Sequence, residues 1–191
     1  METRKCVIEL TTEMLGTVTK DPEVYRTYIE SKKPKGKEGD NEYLTVGKIE
    51  EKGWTGFHRD DEGLFIYEYM VKGFLKHAGN ILKDDLKIKA LRSKLDDFLF
   101  VSPRRIRLGK SEPDGVVERP LRAMTMQGPR VTLAKSDMLN AGLRIEFELK
   151  LLPHKELKWA TVERLLEHGE LMGLGQFRNG GYGRFKVVSL E

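Results

Sequence analysis

Apolar positions in this chain come in short blocks whose spacing changes from two to about 3.6 and back. The clearest block covers residues 143–151, where Leu143, Ile145, Phe147, Leu149 and Leu151 alternate with Arg144, Glu146, Glu148 and Lys150. Strict alternation places the apolar side chains on one face of a strand and the charges on the other. Residues 6–10 alternate more weakly and predict an opening strand that leaves through a turn at 11–16. Phe100 and Val101 mark another strand, and residues 184–190 a last one.

Helical spacing sets in at Val71, Phe74, Leu75, Ala78 and Leu82, with Lys72, Lys76 and Lys83 on another face. Leu91, Leu95, Phe98 and Leu99 extend the helical region. Pro153 is expected to open a further helix through Leu157, Ala160, Thr161, Leu165 and Leu166, closed by Gly169. Upstream, Asp21, Pro22 and Glu23 supply the cap, first-position proline and acidic first turn of a helix start, followed by Val24, Tyr28 and Ile29. Residues 31–41 have almost nothing to bury and read as a mobile loop. Trp54, Phe57, Phe65, Ile66, Tyr67 and Tyr69 flank a turn at 60–63, predicting a hairpin or an extended approach to the next helix.

Reduced to its regular parts, the order is strand, helix, strand, strand, helix, strand. This predicts an α+β fold with a ferredoxin-like (RRM-like) βαββαβ core, insertions over about 17–68 and 102–140, and a C-terminal glycine-rich loop. At 191 residues the whole chain fits one domain. The arrangement is a superfold, so topology alone assigns no activity.

Charge adds direction. Charged residues make up 34% of the chain, with a formal net charge of +4. Between Ser102 and Lys135, eight cations, mostly arginines, face only Glu112, Asp114 and Glu118, so the remainder is near neutral. A concentrated arginine segment suits forked contacts to phosphates as well as a solvated face. No apolar run reaches the roughly 20 residues needed to span a bilayer. The first ten residues lack the apolar stretch of a secretory signal, and Cys6 has no partner for an internal disulfide. Both features lead to the expectation of a cytoplasmic protein.

The most distinctive run is residues 171–185. Gly173, Gly175, Gly180, Gly181 and Gly183 surround Gln176, Arg178, Asn179 and Arg184. Glycine permits positive φ and close backbone approach, so the run is either a cradle for a sugar–phosphate backbone or a long turn into the last strand. It follows a helix and opens a strand, the reverse of a dinucleotide fingerprint, and it lacks the Gly-Lys-Ser/Thr ending of a P-loop.

Taken in order, residues 7–16, 69–76, 140–149 and 173–185 give an opening strand with an apolar-Gly turn, a Lys-Gly helix start, a Gly-led strand and a terminal glycine loop. In this the chain resembles the RAMP superfamily of CRISPR-associated RNA-binding proteins, particularly their backbone subunits. The resemblance implies a non-catalytic protein that binds single-stranded RNA, or single-stranded DNA, and oligomerises side by side along it. A phage or mobile-element relative, one that mimics or caps an effector subunit, fits the same motifs. So does a metal-independent endoribonuclease of the superfamily. Implied backbone contacts are Lys72, Lys76, Arg104, Arg105, Arg107, Arg119, Arg122, Arg130, Gly173, Gly175, Gln176, Arg178, Asn179, Gly180, Gly181 and Arg184. Residues 119–135 resemble a projecting thumb, with Met124 and Met126 as candidate base wedges.

Other constellations add little. His58, His77, His154 and His168 lack metal-ligand spacing, so no metal and no cofactor is expected. His77 beside Lys76 is the candidate acid–base pair for RNA cleavage. Asp21, Asp60 and Asp61 are catalytic-aspartate candidates by region only. Asp84, Asp85, Asp96 and Asp97 read as capping or solvated acids, and Trp54 and Phe57 as core or base-stacking groups.

Overall fold

In the computed structural model the described residues are 1–20, 54–125 and 128–191. The predicted helix at Asp21 and the loop at 31–41 lie outside them. The fold is α+β. Its centre is a four-stranded antiparallel sheet in the order β12 (Phe185–Leu190), β1 (Glu2–Leu10), β11 (Arg144–Leu151), β7 (Leu99–Ser102). Counting only these strands along the chain, the order is 4-1-3-2. Helices α1 (Glu68–Leu82) and α2 (Leu91–Phe98) connect β1 to β7. Helices α3 (Trp159–Glu167) and α4 (Gly169–Met172) connect β11 to β12.

The alternation in β11 has the expected outcome. Ile145, Phe147, Leu149 and Leu151 are buried, the first two opposite Ile8 and Cys6 of β1, and Val71, Phe74, Leu75, Ala78, Val162, Leu165 and Leu166 close the core from the helices. Each such aliphatic side chain contributes roughly 1.5–3 kcal/mol by leaving water. Cys6 is fully buried, and burial pushes its thiol up to about 12. Native protein at pH 8 is therefore expected to leave a colorimetric thiol reagent unreacted, and denatured protein to react at once. Prompt labelling of the native state would contradict this core.

Two expected boundaries shift. Helix α1 starts at Glu68, whose amide is accepted by the Arg104 carbonyl, and not near Val71. Helix α3 starts at Trp159, six residues beyond Pro153. The intervening chain is held in a turn by His154, whose Nδ1 accepts the amides of Glu156 and Leu157.

Two satellite sheets flank the core. One has β5 (His58–Asp60), β6 (Gly63–Tyr67) and β8 (Arg105–Arg107). The other is built on β10 (Gly128–Leu139), which pairs with β9 (Gly115–Thr125) along one edge. The other edge of β10 carries β4 (Trp54–Gly56) and β2 (Met14–Leu15), and β3 (Val18–Thr19) pairs with β4. The basic segment is thus largely a long antiparallel hairpin.

Candidate nucleic-acid interface

The glycine run packs against the 11–16 turn. Gly183 donates its amide to the Glu13 carbonyl at 2.7 Å and accepts the Leu174 amide at 2.8 Å, while the Gln176 amide reaches Leu15 at 3.2 Å. A Cβ on Gly173, Gly175 or Gly183 would lie 2.6, 2.6 or 1.7 Å from a backbone oxygen, and all three have positive φ. These glycines serve the loop's own folding. The outward part is the turn at Arg178–Gly180, a single 3-10 element. Thr12 fixes its far side, donating from Oγ1 to the Gly181 carbonyl and accepting the Arg184 amide.

A cavity lies on each side of this turn. The first, of about 620 Å³, is lined by Lys72, Lys76, His77, Asn80 and Tyr69 of α1, Arg92 of α2, and Gly175 and Arg178 of the loop. The second, of about 540 Å³, is lined by Thr12, Glu13, Asn179, Gly180, Gly181, Tyr182 and Arg184. The structure therefore gathers Lys72, Lys76, Gly175 and Arg178 around the first cavity and Asn179, Gly180, Gly181 and Arg184 around the second. Gly173 is buried, and the Gln176 carbonyl oxygen accepts the Thr55 hydroxyl at 2.7 Å and the Ser136 hydroxyl at 3.0 Å.

The cations on this surface differ in availability. Lys72 Nζ donates to the carbonyls of Leu95, Asp96 and Leu99, spending all three protons on the end of α2. The Leu95 carbonyl also accepts the Leu99 amide, and a cation at this C-terminal end complements the helix dipole. Burial lowers the Lys72 pKa. Lys76 is held by Asp96 at 2.6 Å. Arg92, Arg178 and Arg184 form no ion pair among the described residues, although the Arg92 charge acts on Asp96, which lines the first cavity with it. Arg92 was not singled out in the sequence. It lies 20 residues from the α1 face, and only the packing of α2 on α1, where Gly79 admits Leu95, brings it there.

The basic segment is less exposed as charge than its sequence suggests. Asp60 binds Arg105 at 2.8 Å and Arg107 at 2.5 Å, and Glu62 also reaches Arg107. These arginines, the Arg107 bond foremost, hold the Asp60 carboxyl below its ordinary value of 3.8. Asp60 thereby has a structural partner set, whereas Arg104 only lies over the Tyr67 ring at 6.0 Å. Arg119 is 8% exposed, with its guanidinium 4.7 Å from the centroid of the Phe177 ring. The side chains of Arg122, Met124 and Arg130 on the hairpin, and Met126 altogether, lie outside the described residues.

The open face of the four-stranded sheet is closed by its own ion pairs. Lys5 meets Glu146 at 2.6 Å, and Glu9 takes both Arg144 at 2.9 Å and Lys186 at 2.8 Å. Trp54 donates its indole N–H to Asp137 at 2.9 Å, and Phe57 packs on the core. Among the described residues no group of three or more His, Cys, Asp or Glu is placed to hold a metal, and no helix is long and apolar enough to cross a membrane.

No family model matches the chain, and no curated protein matches it in sequence. Among solved structures, the fold is similar to a chain in the cryo-EM structure of the Type III-B Cmr-beta complex bound to cognate target RNA, with a TM-score of 0.53 and 11% identity. The likeness covers 99% of this chain and 59% of that one, so the chain spans well under two thirds of its neighbour's length. At that identity the likeness is one of fold.

Proposed function

We propose that this chain is a non-catalytic subunit that binds single-stranded RNA by its phosphate backbone within a CRISPR-type effector assembly, copies lying side by side along the strand. The observation that carries the reading is the pair of cavities lined by residues of the Arg178–Gly180 turn, where Arg92, Arg178 and Arg184 present guanidinium groups that form no ion pair among the described residues. Guanidinium forks recognise phosphate oxygens without reading bases, which suits a strand of arbitrary sequence. The RNA-bound complex containing the fold neighbour supports the ligand and the multisubunit setting.

Titrating labelled single-stranded RNA by fluorescence anisotropy over a salt series tests this. Log K is expected to fall linearly with log[salt], and single strands to bind better than duplexes of equal length. Protein that binds no single strand even at low salt would sink the reading. A second reading as a metal-independent endoribonuclease rests on His77, whose side chain lines the first cavity beside Lys76. It requires cleavage of labelled RNA without divalent metal, lost in His77→Ala.

Asp60 makes an opposite-signed prediction. Asp60→Asn removes the carboxylate that binds Arg105 and Arg107, freeing Arg105 and leaving Arg107 with Glu62 alone. If the strand passes there, the salt slope steepens by about 1, since each phosphate contact on a single strand contributes about 0.7. Low pH acts in the same direction. The Asp60 restraint is fully present above 3.8 and is lost as pH falls through the lowered folded value. An unchanged slope in Asp60→Asn would exclude Arg105 and Arg107 from the path.

A further inference from the structure

Phe177 occupies an uncommon position for a large aromatic residue. It has φ of +55°, in the left-handed region where a bulky side chain is a genuine outlier, yet its side chain remains 43% exposed. Burial in the core therefore does not explain the conformation. The surroundings are built to hold the ring instead. A Cβ on Gly180 would come within 2.3 Å of the ring, so only glycine leaves room for it. The Arg119 guanidinium lies 4.7 Å from the ring centroid, and Tyr182 stands at 5.9 Å with its ring tilted by 39°.

Arg119 is the second observation. Its Nε and Nη1 are buried without a hydrogen-bond partner among the described residues, an expensive arrangement for a cation. Salt-bridging accounts for most described cations of the neighbouring basic segment, but Arg119 has the π-face of Phe177. A guanidinium against an aromatic face is attracted by the ring quadrupole, more strongly when desolvated. Strained backbone, missing Cβ and buried arginine thus all act on one exposed ring, which directly precedes the Arg178–Gly180 turn.

We propose that Phe177 is a stacking platform for one unpaired nucleobase of the bound strand, purines preferred, with Arg119 as the positioning residue behind it. Arg178 and Arg184, which line the two cavities, take the neighbouring phosphates. Stacking is sequence-tolerant because every base has a π-face, and the larger purine face overlaps the ring more fully. Arg119 draws ring electron density towards itself, which favours an electron-rich base on the exposed surface. This inference rests on the single-strand reading above and assigns it a contact that phosphate-binding alone does not require.

The test uses full-length protein and single-stranded RNA carrying 2-aminopurine at successive positions. Quenching of the probe by wild-type protein is expected, together with tighter binding of purine-rich than pyrimidine-rich strands. Phe177→Leu should lose the quenching and weaken binding about tenfold while leaving the salt slope unchanged, because the phosphate contacts persist. Phe177→Tyr should restore both, which a role in folding alone would not separate from leucine. Arg119→Met should retain salt-dependent binding but reduce quenching. Binding with a normal salt slope and no dependence on Phe177 would overturn the platform and leave the single-strand reading intact. Absence of any binding by the wild type would overturn both.

Discussion

Replacing Arg92, Arg178 and Arg184 together by alanine lowers the slope of log K against log[salt] for single-stranded RNA by about 2. Three phosphate contacts at roughly 0.7 each give that figure, and at 0.15 M salt it corresponds to about a 50-fold loss of affinity. The effect is large because, among the described residues, these guanidinium groups form no ion pair that a phosphate would have to displace. Arg105→Ala with Arg107→Ala is expected to change the slope by less than 1. Asp60 and Glu62 already neutralise them, and a bound phosphate would have to displace those carboxylates. Anisotropy titrations at four salt concentrations compare the two sets directly. If the second set has the larger effect, the strand follows the basic segment and not the cavities.

Gly183→Ala destabilises the fold by about 3 kcal/mol or more, lowering Tm by roughly 6–12 °C for a chain of this length. Two costs combine. The residue has φ of +74°, and its new Cβ would sit 1.7 Å from the carbonyl oxygen of Leu174, a residue whose amide already donates to the Gly183 carbonyl. Gly181→Ala provides the contrast. Its φ is +87°, but the nearest atom to an added Cβ is the flexible end of Arg184 at 3.9 Å, so about 1 kcal/mol is expected. Thermal unfolding followed by circular dichroism separates them. Equal destabilisation would mean that the loop does not lean on residues 13 and 174 as described.

The contrast also says which glycines were legible. Sequence reading left the run open between a turn and a phosphate cradle, and the structure divides it. Gly173, Gly175 and Gly183 fold the loop onto residues 13–15 and 182–183, whereas Gly180 and Gly181 line the outward cavity. No one-dimensional signal distinguishes them, because the oxygens that exclude a Cβ come from Leu15, Leu174 and Tyr182. Phe177 was similarly invisible as a contact, since its exposure and left-handed backbone arise from the loop's closure.

Periodicity alone determined much of the rest. The strict alternation of β11 and the helical spacing in α1 assign each side chain to a face, because a pleated strand and an α-helix each have one geometric repeat. From these repeats came the α+β class and the succession of core elements. Charge was different. The sequence located an excess of arginine over residues 102–135, but whether a cation is available depends on its neighbours in space. Lys72 is spent on carbonyls 23 to 27 residues away, and Arg105 and Arg107 on a carboxylate more than 40 residues away. Arg92, outside the basic segment, forms no ion pair among the described residues and lines the first cavity. Secondary structure follows from local repeats that a chain carries in its own order, whereas electrostatic availability is settled by distances that exist only after the chain has packed.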